Sequence, residues 1–230
     1  MPTKVKTDSC PVKRLIKKAY HHGDLRNALV EGAIDLMEED KSFDFSLRDL
    51  AAKVGVSAPA LYAHFADKGE LMVAVAITGF HRLREAMEPT VQSGKDLVTQ
   101  FLDMGEAYVQ FGCNNPALYD LMFASPELPA QRMVYPELKE TGDCARDVLL
   151  GLLIRMQDGG VMRRGNVLMD GFTVWAHVHG LASLVITGRV ECAQEGTGSV
   201  EAVPMPVADA VRASLNSLVD GFRGSAAVKR

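Results

Sequence analysis

The sequence predicts an all-α protein in two parts: a small N-terminal bundle around a helix-turn-helix, and a larger helical C-terminal half. Three observations carry this expectation. Apolar residues recur at helical spacing along the chain, with no convincing period-2 alternation and no hairpin signal of the Asn-Gly or Asp-Gly kind. Three helix starts crowd into SLRDLAAKVGVSAPALYAHFADKGEL, residues 46–71. Charge is also divided: residues 1–26 hold seven basic and two acidic side chains, a net of +5, so the remainder of a chain with net charge -4 carries -9. A basic end on an acidic body fits one end facing an anion, or simply a solvated basic tail.

Residues 1–19 have few apolar positions and read as a basic, flexible tail. The first helix is expected over 24–40, with Leu25, Ala28, Leu29, Ala33, Leu36 and Met37 on one face. Ser46 with Asp49 resembles a capping box and opens a helix over 47–54. Gly55 suits a left-handed helix end, and Ser57 caps the next helix, expected over 58–65 with Pro59 in its first turn. Asp67 with Glu70 starts a longer helix that Pro89 is expected to stop near Met87. Further helices are expected over 95–111, 116–123, 137–157 and 208–222, with residues 124–134 as a loop containing two prolines. The apolar stretch TVWAHVHGLASLVITG (173–188) forms another helix, and EGTGSVEAVPMP is a loop. No internal repeat is present.

Two short helices joined by a three-residue turn with Gly55 form the helix-turn-helix pattern, residues 46–65. Its second helix enters a DNA major groove while the first braces against the backbone. Ser57, Ala58, Pro59 and Ala60 are small enough for close approach and apolar contact with a thymine methyl. Tyr62 and His64 suit phosphate hydrogen bonds, and Ser46 and Arg48 lie at the start of the bracing helix. Lys68 adds a charge at the next helix N-terminus. Leu61 and Phe65 point the other way and belong to the core. Spacing alone also permits a three-helix cluster that never touches DNA.

The segments YHHGDLRNALVEGAIDLMEE and FSLRDLAAKVGVSAPALYAHFADKGELMVAV resemble the N-terminal domain of TetR-family transcriptional regulators over roughly residues 20–80. The motif residues are Leu50, Ala51, Gly55, Val56, Ser57, Leu61, Tyr62, His64, Phe65, Lys68 and Leu71. Many members have Glu directly after the Lys, where this chain has Gly69 and then Glu70. The resemblance implies an all-helical homodimer that binds double-stranded operator DNA, most often as a repressor released by a small-molecule inducer; the cysteine usage makes a cytoplasmic setting the default expectation. It also implies a boundary near residue 80, with 81–230 as the ligand-binding and dimerisation domain and the 68–87 helix as the lever between the two. Trp175, Ala176, His177, Val178, His179 and Gly180, with NPALYDLMF (115–123), resemble a subclass bearing a Trp-(two or three residues)-His-Gly signature.

The stretch 173–188 holds the only tryptophan and two of the six histidines, so metal, catalytic, membrane and buried-interface roles all arise. Residues two apart on a helix point about 200° apart, so His177 and His179 cannot share a metal within one helix, whereas Trp175 and His179 share a face. Asp170, the histidines and several Gly and Thr argue against a lipid span over 167–188, and no signal peptide is visible. Pocket residues are expected among Tyr108, Phe123, Phe172, Trp175 and His179. Dimer contacts are expected at Leu181, Leu184, Val185, Val211, Leu215, Leu218 and Phe222, with Gly180 permitting close helix approach. Neither a G-x-S-x-G, a P-loop nor an H-E-x-x-H is present, so no catalytic residue, metal or cofactor is expected. Cys10, Cys113, Cys144 and Cys192 lack C-x-x-C spacing, which suggests reduced thiols.

Overall fold

In a computed structural model, residues 24–126, 128–189 and 206–223 are described. The basic tail 1–19, the loop around Gly196, Cys10 and Cys192 lie outside them. Among the described residues every regular element is an α-helix. The helices are α1 (Asp24–Asp40), α2 (Leu47–Val54), α3 (Ala58–Tyr62), α4 (Lys68–Val91), α5 (Leu97–Asn114), α6 (Pro116–Ala124), α7 (Leu128–Val134), α8 (Pro136–Asp158), α9 (Val167–Ile186) and α10 (Val207–Arg223). They form two compact units. The first takes the described residues of Met1–Arg82 and Asn115–Ala145, the second those of Leu83–Asn114 and Arg146–Arg230.

Local chemistry accounts for the start of the first unit. The Ser46 hydroxyl accepts from the Asp49 N–H at 3.1 Å, and the Asp49 carboxylate accepts from the Ser46 N–H at 2.9 Å. That reciprocal box closes two donors that a helix start leaves open. Gly55 ends α2 at φ 77°, where a side chain would be strained, and the Val56 N–H then reaches back to the Ala51 carbonyl at 2.9 Å. Ser57 caps α3 through the Ala60 N–H at 3.3 Å. Helix α3 stops at Tyr62, short of the expected 65, because the His64 N–H bonds Leu61, three residues back, and tightens the chain out of the helix. Leu29, Met37, Leu50, Leu61, Phe65 and Leu71 form the core of this bundle, each fully buried.

Two further boundaries differ from expectation. Helix α4 runs through Pro89 to Val91. A proline this close to a helix end disturbs only the final turn. The expected loop 124–134 contains α7, with Pro129 as its second residue. There a missing N–H has no helical partner to lose, so the proline marks a start and not a loop.

In the second unit α5 packs against both α9 and α10. Glycines stand at these contacts: a Cβ at Gly105 would press on the end of the Leu215 side chain, and one at Gly171 on that of Leu150. Gly180 has open space around it, so within the chain it serves no helix approach. Helix α9 starts at Val167, capped by Asn166. Asp170, in its first turn, is buried and accepts from Gln157 at 3.1 Å and Arg163 at 3.3 Å. Arg212 on α10 bridges Asp103 at 2.8 Å and Glu106 at 2.7 Å on α5. Cys113 is a half-buried thiol, whereas Cys144 is disulfide-bonded.

Candidate nucleic-acid interface

The helix-turn-helix divides cleanly into an inner and an outer face. Leu50, Leu61 and Phe65 are buried, while Ser46, Arg48, Ser57, Pro59 and Tyr62 are exposed and Ala58, Ala60 and His64 are half-buried. Tyr62 keeps 52% of its surface. Arg48 has no carboxylate partner among the described residues. The Asp49 carboxyl is held below its usual range, chiefly by the Ser46 hydroxyl and then by the Ser46 N–H. That carboxylate is engaged in holding α2.

Sequence reasoning missed Arg26. Its guanidinium sits 4.7 Å from the centre of the Phe65 ring, an arrangement that fixes a cation at the outer rim of the bundle. The signal was its place in the basic N-terminal run. Two other cations nearby are neutralised: Lys53 pairs with Glu39 at 2.6 Å, and Arg82 pairs with Glu31.

Lys68 departs from expectation. Its ammonium turns inward and donates to the carbonyls of Phe43 and Phe45, the latter at 2.7 Å, while lying 4.6 Å over the Phe45 ring. The α4 N-terminus is likewise closed by the protein's own carboxylates. Asp67 accepts from the Glu70 N–H at 2.9 Å, and Glu70 from the Ala66 N–H at 2.8 Å. Lys68 therefore staples the α1–α2 connection to α4, because two orphan carbonyls within reach hold an ammonium better than a distant anion does.

In the second unit, three of the expected pocket residues come together. The Trp175 Nε1–H donates to the Tyr108 hydroxyl at 3.2 Å, and that hydroxyl lies 3.3 Å from His179 Nδ1. The Trp175 and His179 rings are 5.5 Å apart, and Phe172 lies 6.2 Å from Trp175. Tyr108 is buried, whereas Trp175 and Phe172 stay 39% and 58% exposed. Burial pulls the His179 pKa below the usual 6.5. His177 takes a different partner, Ser214 on α10, at 2.8 Å. Phe123 does not join this group. It belongs to the other unit, packed edge-on to Phe80 at 5.6 Å and against Tyr119 at 4.8 Å.

The expected dimer residues also separate. Val211, Leu215 and Phe222 are buried inside their own chain, because α10 has one apolar face and α5 already occupies it. Leu184 is exposed and Leu181, Val185 and Leu218 are half-buried. Leu168, Met169 and Phe172 extend the exposed apolar surface of α9. No helix among the described residues is long and apolar enough to cross a membrane. No group of three or more His, Cys, Asp or Glu side chains among them is placed to hold a metal ion.

Comparison with known proteins bears on this geometry. A family profile described as bacterial regulatory proteins, tetR family, matches residues 29–75, and one described as a tetracyclin repressor-like C-terminal domain matches 101–203. An uncharacterised HTH-type transcriptional regulator of Mycobacterium tuberculosis is 38% identical over 71 residues, which are 31% of this chain and 28% of that protein. The regulator YobS of Bacillus subtilis is 26% identical over 98 residues, 43% of this chain and 51% of YobS. The matches thus span about half or less of the length of these curated relatives. Among solved structures, a protein of unknown function from Rhodococcus sp. RHA1 has a TM-score of 0.73 at 27% identity, covering 90% of this chain and all of that one. The TetR family transcriptional regulator PfmR from Thermus thermophilus has a TM-score of 0.59 at 23% identity, covering 88% and 99%. FadR from Bacillus subtilis, solved in complex with stearoyl-CoA, shares the fold with a TM-score of 0.65 at 13% identity, covering 85% and 98%. The matched family profiles and the curated relatives are described as transcriptional regulators. With both halves of the fold matched by that family's profiles, and the capped α2–α3 pair in place, the chain belongs to the tetR family of helix-turn-helix transcriptional regulators.

Proposed function

We propose that the protein is a dimeric, ligand-responsive repressor of the Trp-His-Gly subclass, binding a near-palindromic operator in the bacterial cytoplasm. The observation that carries this reading is the α2–α3 pair. It is capped at both starts, turned by Gly55, anchored by Leu61 and Phe65, and open at Pro59 and Tyr62. In the proposed complex α3 enters the major groove and α2 braces on the backbone through Arg48, with Tyr62 and Arg26 on phosphates. Residues 20–80 supply this domain and 81–230 the regulatory one. The basic tail 1–19 adds contacts in the adjacent minor groove.

The second copy is proposed to pack on the exposed apolar positions of α9, Leu168, Met169, Phe172 and Leu184, with the half-buried Leu181 and Val185 beside Leu184. An open apolar helix face of this kind needs a covering surface. The Tyr108–Trp175–His179 cluster supplies a wall of the inducer site, combining aromatic surface with polar atoms. That a regulator of the same fold holds stearoyl-CoA supports the small-molecule reading without naming the ligand. Inducer binding would favour an arrangement in which the two recognition helices no longer match half-sites about 34–36 Å apart.

Selection of duplexes from a random pool by the full chain tests this reading. Enrichment of a two-fold symmetric site with half-sites about one helical turn apart is the expected outcome. Recovery of no preferred sequence would reject it.

A further inference from the structure

Direct reading of bases in the major groove uses a small chemical vocabulary. Arg or Lys pairs with guanine, Asn or Gln with adenine, Asp or Glu with cytosine, and apolar groups contact the thymine methyl. From Val56 to Ala66 the chain reads VSAPALYAHFA, with no charged side chain and no side-chain amide. Five of the long polar side chains around it are engaged elsewhere. Lys53 pairs with Glu39, Lys68 holds the Phe43 and Phe45 carbonyls, and Asp49, Asp67 and Glu70 close helix starts. Arg48 stands on α2, the bracing helix. The outer face of α3 is therefore Ala58, Pro59, Tyr62 and Ala63, spaced i, i+1, i+4 and i+5. Ser57 adds a hydroxyl, whose oxygen already accepts from the Ala60 N–H.

Of the four bases, only thymine offers an apolar group to such a face. We infer that α3 recognises its operator mainly through thymine 5-methyl groups, packed against Ala58, Pro59 and Ala63 and the edge of the Tyr62 ring. This rests on the DNA-binding reading above and adds the chemistry of its specificity. Small side chains at three of the four positions let the helix backbone approach the base edges closely, as methyl contacts over van der Waals distances require.

Modified bases test the inference without altering the protein. A duplex enriched by the full chain is remade with each thymine in turn replaced by deoxyuridine, which lacks only the methyl group. At the contacted positions affinity falls roughly three- to fourfold per methyl, the value of one buried methyl group. Each such T·A pair is then replaced by C·G or by 5-methyl-C·G. The latter restores the methyl but exchanges the O4 acceptor for an amine donor, and it binds more tightly than unmethylated C·G. Deoxyuridine tolerated at every position would overturn thymine-methyl readout while leaving DNA binding intact. Equal affinity for C·G and 5-methyl-C·G at the contacted positions would also overturn it. Failure to enrich any duplex would overturn the DNA-binding reading itself, and this inference with it.

Discussion

The indole nitrogen of Trp175 donates to the hydroxyl of Tyr108 across 3.2 Å, joining α9 to α5 through the chain's only tryptophan. The hydroxyl's own proton is then available to Nδ1 of His179, 3.3 Å away. In that arrangement His179 is neutral and carries its hydrogen on Nε2. Burial favours this neutral ring and lowers its pKa below 6.5. Between the folded pKa and 6.5 the unfolded chain binds more protons than the folded one, so stability rises with pH there. The expected outcome is a protein that loses stability as pH falls below 6.5 and levels off beneath the folded pKa. Trp175 emission should titrate over the lower part of that window, and His179→Gln should abolish the fluorescence titration. An unchanged titration in the variant would detach His179 from the tryptophan.

Lys68 and Arg48 should behave in opposite ways. Lys68 holds two carbonyls inside the bundle, so Lys68→Ala should destabilise the fold by about 1.5–3 kcal/mol, the range for hydrogen bonds to charged groups. Urea denaturation measures this. Arg48→Ala should leave the unfolding free energy within about 0.5 kcal/mol of the parent. It should weaken binding to all DNA sequences and lower the salt slope by about one. A destabilised Arg48→Ala, or a fully stable Lys68→Ala, would contradict these assignments.

Helix α6 is capped from outside its own sequence. Asn115 makes no side-chain cap hydrogen bond, and Glu38 on α1 accepts from the N–H groups of Ala117 at 3.2 Å and Leu118 at 3.0 Å. Removing such a cap costs about 0.5–2 kcal/mol. Glu38→Ala should lower the thermal midpoint, and Glu38→Gln, which keeps an acceptor oxygen, should lower it less. Equal losses in both variants would indicate that the negative charge matters more than the hydrogen bonds.

The open side of α9 offers a test of assembly. Leu184→Glu places a charge on an exposed apolar position, so the folded subunit should tolerate it while sedimentation shows monomers. Gly180→Ala meets no atom within 4 Å and improves helix propensity by up to about 1 kcal/mol. It should therefore stabilise the subunit, yet weaken the dimer if the partner helix approaches there. Dimers unchanged in both variants would move the contact elsewhere.

Much of the first unit was legible in the sequence because its determinants are local. Ser46 with Asp49, Gly55, Ser57 with Pro59, and Asp67 with Glu70 act within four residues, and the structure uses each as a cap or turn. Period alone places Leu97, Phe101, Met104, Tyr108 and Phe111 on the inner side of α5, and all but the half-buried Leu97 are buried. Pro89 and Pro129 misled for a related reason. A proline's effect depends on its place within a turn, and sequence locates helix ends only loosely. The candidate pocket was legible in part: Trp175 and His179 share a helix face, but no pattern in the chain paired that face with Tyr108.

The sequence by itself determined where helices start and turn, which faces are apolar, and that α2 and α3 form a helix-turn-helix. Only the tertiary structure decided what each long side chain and each apolar face would meet. Lys68 finds carbonyls 23 and 25 residues away, Glu38 finds amides 79 and 80 away, and Arg212 finds carboxylates more than 100 away. Likewise α10 turned its single apolar face to α5, which took Val211, Leu215 and Phe222 out of reach of any partner. Caps and periodicity act over a turn or two of chain. An ammonium, a carboxylate or an apolar face goes to whatever partner folding brings within reach, and that is settled by three-dimensional proximity.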